Sequence, residues 1–344
     1  MSAPSKRSLL AMNLKSMTVS ELKEILRSFN LPMTGNKAEL IERIEDMART
    51  MPENVFQYDD IKGLDPLIKW SKMTGRLFSP DAVVYGFTRF PVGVLLTGVP
   101  GCGKSMVAKA IANEWSMGFR RVHPDELVGS AVGDNETLMR ELVTELAEMA
   151  PIVCFIDEAE KILGQTRAGR HYRAAESARD SAESILLQFM EDDNSGVFFI
   201  FTSNDFDKLS PALLDRFHGR FFIDLPSNSA RKEIISSMLE VRQRDPNDFD
   251  VQALVEISDG FSGRDIRTAI DEAMKVAFCD EGRPMDDSDL FDSFSQAVST
   301  FEIHKERIAE MRAVVSEGKM RRANSQEFEE GILVAKDGGY LGWV

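Results

Sequence analysis

The chain has 344 residues, of which 43% are hydrophobic and 28% are charged. This is the composition of ordinary globular proteins, so it excludes a largely disordered or fibrous protein. No apolar run reaches the roughly 18 residues of a membrane-spanning helix, and the N-terminal apolar patch is too short for a secretory signal. The three cysteines, Cys102, Cys154 and Cys279, lie far apart and predict neither a disulfide framework nor a zinc site. We therefore expect a soluble, cytoplasmic protein of about two domains.

The net charge of −15 is unevenly distributed along the chain. Residues 1–50 carry eight Lys or Arg against six Asp or Glu, whereas the remaining residues carry 33 against 50. Either the small positive excess has no functional meaning, or contact with a polyanion is confined to this N-terminal segment.

Two short helices are predicted in residues 14–47, which we call the head. Each begins with a capping pattern, Thr18 followed by Glu21 and Asn36 followed by Glu39. Apolar residues then recur at helical spacing: Val19, Leu22, Ile25, Leu26 and Phe29 in the first helix, and Leu40, Ile41 and Ile44 in the second. A proline and a glycine interrupt the pattern between them, which predicts a helix–loop–helix unit.

Residues 14–44 resemble a SAP domain, a small DNA-binding helix–extended-loop–helix module. The resemblance is clearest in the run LPMTGNKAEL. It implies that the backbone around Gly35 and the side chain of Lys37 contact phosphates at a helix N terminus, where free N–H groups attract anions. A protein-binding module of the same shape is the alternative. With so few cations, one copy would bind DNA weakly, and several copies on an oligomer would bind more tightly.

The chain contains a phosphate-binding pattern, G-x-x-x-x-G-K-[ST]. It is matched by Gly98-Val99-Pro100-Gly101-Cys102-Gly103-Lys104-Ser105, with an apolar strand before it and a helical pattern after it. The glycines allow successive N–H groups to face the phosphates. We expect these eight residues and Met106 to bind ATP, with Lys104 on the β- and γ-phosphates and Ser105 on Mg²⁺. Cys102 has no role in the pattern and is predicted to fill space.

Two further strands end in polar residues. Residues 152–156 form an apolar run that ends in Asp157 and Glu158, where a Walker B pair belongs after a phosphate-binding loop. Asp157 would hold Mg²⁺ through water, and Glu158 would polarise the attacking water. The next apolar run, 197–201, is followed closely by Asn204, whose amide would hold that water. The alternative for the carboxylate pair is an ordinary charged turn.

Residues 54–290 resemble an AAA-type ATPase of the AAA+ class. Besides the motifs above, Asp60-Ile61-x-Gly63 resembles the segment of that class that contacts adenine, and the run GFSGRDI, which contains Gly263, resembles the start of its lid helix. The runs GLDPLIKW, AKAIANEW and DGFSGRDI resemble a plastid and cyanobacterial open-reading-frame family within that class.

The resemblance implies an α/β fold of the P-loop NTPase type, with a five-stranded parallel sheet and a helical lid, preceded by the all-α head. The expected limits are 1–47 for the N-terminal domain that contains the head, 48–57 for a linker, 58–226 for the α/β subdomain, 227–318 for the lid and 319–344 for a C-terminal tail. AAA proteins assemble as rings, usually hexamers, with ATP between protomers, so a homo-oligomer is expected.

The resemblance also implies an arginine finger that reaches the ATP of the neighbouring protomer. If the run FFIDLP is aligned with the strand that follows the finger in the family, the finger is Arg216. If Gly219-Arg220-Phe221 is instead aligned with the family's G-R-F, the finger is Arg220. Arg264 occupies a lid position where other AAA+ branches place an arginine that contacts the γ-phosphate. The alternative for each is an exposed surface charge.

Two loops depart from the protein-threading AAA pattern. Ala131 stands where those rings carry an aromatic residue, and a ring of alanines offers little contact area to a peptide. Residues 165–180 are instead rich in arginine: Arg167, Arg170, Arg173 and Arg179. This loop either contacts DNA or an acidic partner, or is simply solvated.

These patterns predict an ATP-hydrolysing ring, tethered to DNA by its head, that remodels a protein or protein–DNA assembly without threading it. Two alternatives remain open. One is an ATP-controlled, DNA-associated loader or scaffold with slow hydrolysis. The other is a chaperone-like remodeller whose head binds its client. No membrane partner is expected, and association with the nucleoid would follow if the head binds DNA.

Overall fold

The computed structural model describes residues 14, 17–28, 33–50, 56–127, 134–163, 173–192 and 196–325. These residues form the helical head, an α/β body and a helical lid. In these ranges, no helix is both long and apolar enough to span a membrane.

The head consists of two helices, α1 (Val19–Ser28) and α2 (Lys37–Thr50). Both predicted capping patterns form, since Glu21 accepts from the Thr18 N–H at 2.6 Å and Glu39 accepts from the Asn36 N–H at 3.1 Å. Apolar residues of both helices pack together with Leu14, which precedes α1, in a small core: Leu14, Leu22, Ile25, Leu26, Leu40 and Ile44. Val19 is exposed, and Phe29 lies outside the described residues. The helix–loop–helix prediction is confirmed, and the second helix runs beyond residue 47.

The body is built on a parallel sheet. Its strands are β1 (Gly93–Gly98), β2 (Gly118–Val122), β3 (Ile152–Ile156), β4 (Val197–Ser203), β5 (Gly219–Ile223) and β6 (Arg321–Arg322). Their order across the sheet is β2-β3-β4-β1-β5-β6. Parallel strands buried on both faces are apolar at nearly every position, which explains why β1, β3 and β4 are continuous apolar runs.

The sheet has six strands in the described part of the chain, which corrects the expected count of five. The sixth comes from residues 319–344, the expected tail, and pairs with β5. The Ala323 N–H donates to the Phe222 carbonyl at 2.9 Å, so the segment covers an edge that would otherwise leave backbone groups unpaired. Two arginines in sequence carry no strand-like hydropathy pattern, and this is why sequence alone did not predict them as a strand.

Helices cover both faces of the sheet. On one face lie α3 (Asp65–Gly75) and α5 (Lys104–Glu114), where Val107 and Ile111 pack against Val94, Leu96 and Phe155. A short helix, α4 (Pro80–Tyr85), comes between them in the chain. On the other face lie α6 (Asp134–Met149), α7 (Glu160–Leu163), α8 (Arg173–Asp192) and α9 (Pro211–Leu214). Successive residues of a strand point to opposite faces, so each strand contributes to both layers of the core.

The lid has its own core, formed by α10 (Asn228–Val241), α11 (Val251–Ile257), α12 (Gly263–Cys279) and α13 (Asp287–Gln296). The last helix, α14 (Thr300–Ser316), does not join that core. Its Ile308 is fully buried in the core of the body, with Met311 and Val315 packed against the same cluster. This helix falls within the expected lid range of 227–318, yet its apolar face covers the body, because an amphipathic pattern does not show which body that face will cover.

Candidate active site

A large cleft lies between the body and the lid, at the edge of the sheet where the parallel strands end. Its volume is about 1230 Å³. Most of the residues predicted from the sequence line it: Asp60, Ile61, Pro100, Gly101, Cys102, Gly103, Lys104, Ser105, Met106, Asp157, Glu158, Asn204, Gly263 and Arg264. Three residues that were predicted to contact the nucleotide do not. Val99 is fully buried in the core, Gly98 lies against β5, and the Gly63 carbonyl accepts from the Ser325 N–H at 3.0 Å.

The loop after β1 depends on glycine at two positions. Gly98 has φ +137°, and a Cβ there would lie 2.0 Å from the Ile223 carbonyl oxygen. Gly101 has φ +82°, and a Cβ there would lie 2.7 Å from Ser262 Oγ in the lid. Only glycine adopts such backbone conformations without strain. The loop therefore packs closely between β5 and the lid, and it leads into α5, whose N terminus faces the cleft and suits an anion.

Lys104 follows this loop as the first residue of α5. Its ammonium donates to the carbonyls of Gly98, at 2.8 Å, and Val99, at 3.2 Å. Burial lowers the pKa of Lys104, and the nearby Asp157 and Glu160 oppose that shift. An ammonium has three protons to donate, so one remains for a phosphate oxygen. Burial also raises the pKa of the Cys102 thiol to about 12, so it stays protonated at neutral pH.

The Asp157 carboxylate is held by two neighbouring strands. Its Oδ1 accepts from the Thr202 hydroxyl at 2.5 Å, and its Oδ2 accepts from the Arg121 guanidinium at 2.7 Å. Ser105 lies at the start of α5 in the same cleft. A hydroxyl and a carboxylate are hard oxygen ligands of the kind that Mg²⁺ uses together with waters and phosphates. The donor set therefore fits a magnesium ion bound with a nucleotide.

Glu158 and Asn204 meet beside that carboxylate. The Asn204 side-chain amide donates to Glu158 Oε1 at 3.4 Å, a long hydrogen bond, and Lys161 forms an ion pair with the other carboxylate oxygen. Glu158 has φ +51°, a conformation that non-glycine residues seldom adopt. Its N–H donates to Thr202 Oγ1 at 3.0 Å. Together these contacts hold the carboxylate at the edge of the cleft.

Three residues of this site were missed in the sequence: Arg121, Thr202 and Glu160. Glu160 accepts from the Asn204 N–H at 3.1 Å, and its other oxygen is buried with no hydrogen-bond partner among the described residues. Arg121 and Thr202 reach Asp157 only because β2, β3 and β4 are neighbours in the sheet. Glu160 lies two residues after Glu158, and this proximity is the only signal in the sequence that could have indicated it.

The predicted arginines are separated by the fold. Arg264 lies at the start of α12, beside the loop, and its N–H donates to the Gly101 carbonyl at 3.2 Å. Arg216 pairs with Glu191 at 2.7 Å, and Arg220 is on β5. Neither of these two lines the cleft of its own chain, as far as the described residues form it.

In the head, Gly35 has φ +126° and immediately precedes the cap of α2, and Lys37 is the first residue of that helix. The Glu39 carboxylate occupies part of the same N terminus through the Asn36 N–H. Other predicted features lie outside the described residues: Ala131, Arg167, Arg170 and the tail beyond residue 325. Arg173 and Arg179 belong to the first half of α8.

Comparison with known proteins gives two family matches. Residues 94–225 match the ATPase family associated with various cellular activities (AAA), and residues 13–46 match the SAP domain. The chain is 31% identical over 291 residues to the uncharacterized AAA domain-containing protein ycf46 of Guillardia theta, which covers 84% of this chain and 56% of that protein. Identity is 32% over 254 residues to proteasome-activating nucleotidase 2 of Haloferax volcanii, covering 72% of this chain and 59% of that protein. Identity is 29% over 287 residues to spastin of Dictyostelium discoideum, covering 79% of this chain and 43% of that protein. The chain thus spans about half the length of these curated relatives.

Proposed function

The chain belongs to the AAA ATPases and carries a SAP domain at its N-terminal end, and from this premise we propose that it hydrolyses ATP to remodel a protein or protein–DNA assembly. In this proposal, the SAP domain tethers the enzyme to DNA. The observation that carries it is the single cleft that holds Lys104, Ser105, Asp157, Glu158 and Asn204. Such a constellation suits phosphoryl transfer, in which the protein positions the reactants and stabilises charge.

Each residue has a role that its contacts support. Lys104, already desolvated, pairs with the phosphates, and Ser105 and Asp157 would hold Mg²⁺, which supplies positive charge to the phosphate oxygens when bound. Glu158 accepts the proton of the attacking water, and the Asn204 amide orients that water against the Glu158 carboxylate.

The proposal includes a ring, which the positions of the two candidate finger arginines support. Arg216 and Arg220 both lie away from the cleft formed by the described residues of their own protomer. An arginine from a neighbouring protomer would place positive charge on the transferring phosphoryl group. We therefore include a homo-oligomer, a hexamer by analogy with the family, with one of these arginines as the finger. Ala131 favours remodelling without processive threading.

A second candidate function is an ATP-controlled, DNA-associated loader or scaffold with slow hydrolysis. One observation favours it, since both Walker B carboxylates are in ion pairs, Asp157 with Arg121 and Glu158 with Lys161. Lys161 occupies one of the two Glu158 carboxylate oxygens and so competes with water for that oxygen. In this candidate, the lysine must leave before hydrolysis becomes fast.

The deciding experiment measures the ATPase rate of the full chain and of a truncated protein lacking residues 1–50, each with and without DNA. The cut follows the end of α2 at Thr50. Stimulation by DNA only in the full chain supports a DNA-tethered ATPase. Equal rates in all four samples would leave an ATPase without a DNA response, and rates near zero in all four favour the scaffold. Equal DNA affinity of both proteins would overturn the tether.

A further inference from the structure

Helix α14 connects the lid to the body. At its start, the Thr300 N–H donates to Asp265 Oδ2 at 2.9 Å, and the Phe301 N–H donates to the Gly260 carbonyl at 3.1 Å. Both acceptors belong to the lid segment that begins α12. Further along, Ile308 is fully buried in the core of the body. The helix is thus attached to the lid at one end and to the body along the rest of its length.

The helix bends between these two attachments. His304 has φ −123° and ψ 23°, which is not helical, while the residues on both sides are. A local break in the helical hydrogen-bond ladder allows the two parts to change their relative direction. The first turn can therefore follow the lid while the remainder stays on the sheet.

Arg307 lies just after the bend and contacts the catalytic edge of the sheet. Its Nη2 donates to the Asn204 carbonyl at 2.8 Å. Asn204 directly follows the last residue of β4, and its N–H is held by Glu160 at 3.1 Å. The main chain of Asn204 is thus hydrogen-bonded to the body through its N–H and to α14 through its carbonyl, while its side chain contacts Glu158.

A second contact sets the position of this helix on the sheet. Arg312 donates to Asp224 through Nε at 2.8 Å and through Nη2 at 2.9 Å. Asp224 follows β5 directly, so the two arginines meet the ends of two strands that flank β1. Two parallel guanidinium–carboxylate bonds have a defined geometry. This pair holds α14 in a fixed register on the sheet, which places Arg307 within reach of Asn204.

We propose that Arg307 is a positioning residue for ATP hydrolysis, which holds Asn204 against Glu158 and makes that contact depend on the position of the lid. The inference rests on the proposed function, because it requires that Asn204 orients the attacking water. Arg307 does not line the cleft formed by the described residues, so its effect passes through the Asn204 main chain. Loss of the contact should impair turnover and leave nucleotide binding intact.

The kinetic test compares Arg307→Ala, Arg307→Lys and, as a control for the loss of a cation from the same helix, Lys305→Ala. Lys305 is exposed and lies 5.7 Å from the centre of the Phe301 ring. We expect Arg307→Ala to lower kcat about tenfold, the effect of one charge-assisted hydrogen bond, with KM and ADP affinity unchanged. Arg307→Lys should recover part of kcat, and Lys305→Ala should match the unaltered chain.

Asn204→Ala separates a failure of this inference from a failure of the proposed function. If Asn204→Ala loses turnover and Arg307→Ala keeps it, the inference is overturned and the proposed function stands. If Asn204→Ala turns over normally, the proposed role of Asn204 is overturned, and the role of Arg307 with it.

A spectroscopic measurement tests the contact without turnover. With ¹⁵N-labelled asparagine, the Asn204 amide signals, assigned from their loss in Asn204→Ala, should shift in Arg307→Ala and return toward their original positions in Arg307→Lys. Unchanged signals in Arg307→Ala would overturn the inference even for a chain that hydrolyses no ATP.

Discussion

The guanidinium of Arg121 donates to the carboxylate of Asp157 at 2.7 Å, across the pair of strands β2 and β3. The same guanidinium lies over the Phe155 ring, 5.7 Å from its centre, in a cation–π contact. Asp157 is the carboxylate expected to hold Mg²⁺, so in this structure a protein cation occupies the oxygen that a metal ion would approach.

We expect Arg121→Ala to bind nucleotide at lower Mg²⁺ concentration than the unaltered chain. Removing the guanidinium frees one carboxylate oxygen, and an interaction of roughly 1–2 kcal/mol corresponds to a shift of about five- to thirtyfold in the Mg²⁺ midpoint. The measurement is fluorescent ADP binding as a function of Mg²⁺. The matched control is Arg120→Ala on the same strand, which removes ion pairs to Glu126 and Glu145. A higher Mg²⁺ midpoint in Arg121→Ala would show that Arg121 orients Asp157 and does not compete with the metal.

Replacing Glu158 with Gln should preserve ATP binding and lower turnover. A glutamine has nearly the same shape and can still bond to Asn204, but it cannot accept a proton, and loss of a general base costs about 10²–10⁴ in rate. The variant should also retain ATP-bound oligomers, which size-exclusion chromatography with ATP would detect. Glu306→Gln, an exposed change on α14, serves as the control. Hydrolysis by Glu158→Gln at the original rate would refute the assignment of the base.

The glycine at the end of β1 should be irreplaceable for steric reasons as well as for its backbone conformation. Gly98→Ala places a Cβ 2.0 Å from the Ile223 oxygen, and we expect it to destabilise the body by more than about 3 kcal/mol or to prevent folding. Gly282→Ala is the control, because Gly282 also has positive φ, at +70°, but no atom within 4 Å of the added Cβ. That change should cost only about 1–2 kcal/mol, the strain of the backbone alone. Chemical denaturation measures both, and equal losses would argue against the close packing of β1 on β5.

The lid should lose stability in acid through one ion pair. The Arg283 guanidinium holds the pKa of Asp289 at about 2, below its usual value of 3.8. Because the folded-state pKa is the lower one, the stabilisation is complete above pH 3.8 and is lost as the pH falls toward 2. Asp289→Asn should lower the unfolding free energy of the lid at neutral pH by about 1.5–3 kcal/mol, the value of hydrogen bonds to a charged group. Thermal unfolding between pH 2 and 7 should show a shallower acid slope for Asp289→Asn, and identical slopes would contradict this assignment.

If the head binds DNA, Lys37→Ala should weaken that binding at every sequence tested. Loss of one phosphate contact should reduce the slope of log affinity against log salt by about 0.9. Fluorescence anisotropy with labelled duplex DNA at several salt concentrations measures this slope, with Lys23→Ala on α1 as the control. Glu39→Gln should strengthen binding, because it removes a negative charge from the N terminus of α2. An unchanged slope in Lys37→Ala would exclude Lys37 as a phosphate contact.

Local patterns in the sequence were sufficient for the two head helices, the loop after β1, the carboxylate pair after β3 and the position of Asn204. Each depends on residues close together in the chain: apolar periodicity, capping pairs, and glycines before a Lys-Ser pair. The strand ends converge because parallel strands share one carboxyl edge, and so the grouping of these side chains could be expected before the structure was known.

Tertiary structure alone decided the contacts between distant elements. The ion pair of Arg121 with Asp157 requires β2 to lie beside β3, and the contact of Arg307 with Asn204 requires α14 to leave the lid core and pack on the body. Likewise, β6 joins β5 across about 100 residues of chain, and the Arg312–Asp224 pair joins residues that are 88 apart. Sequence periodicity shows which face of an element is buried but not which partner buries it. That choice is made by the packing of the whole chain.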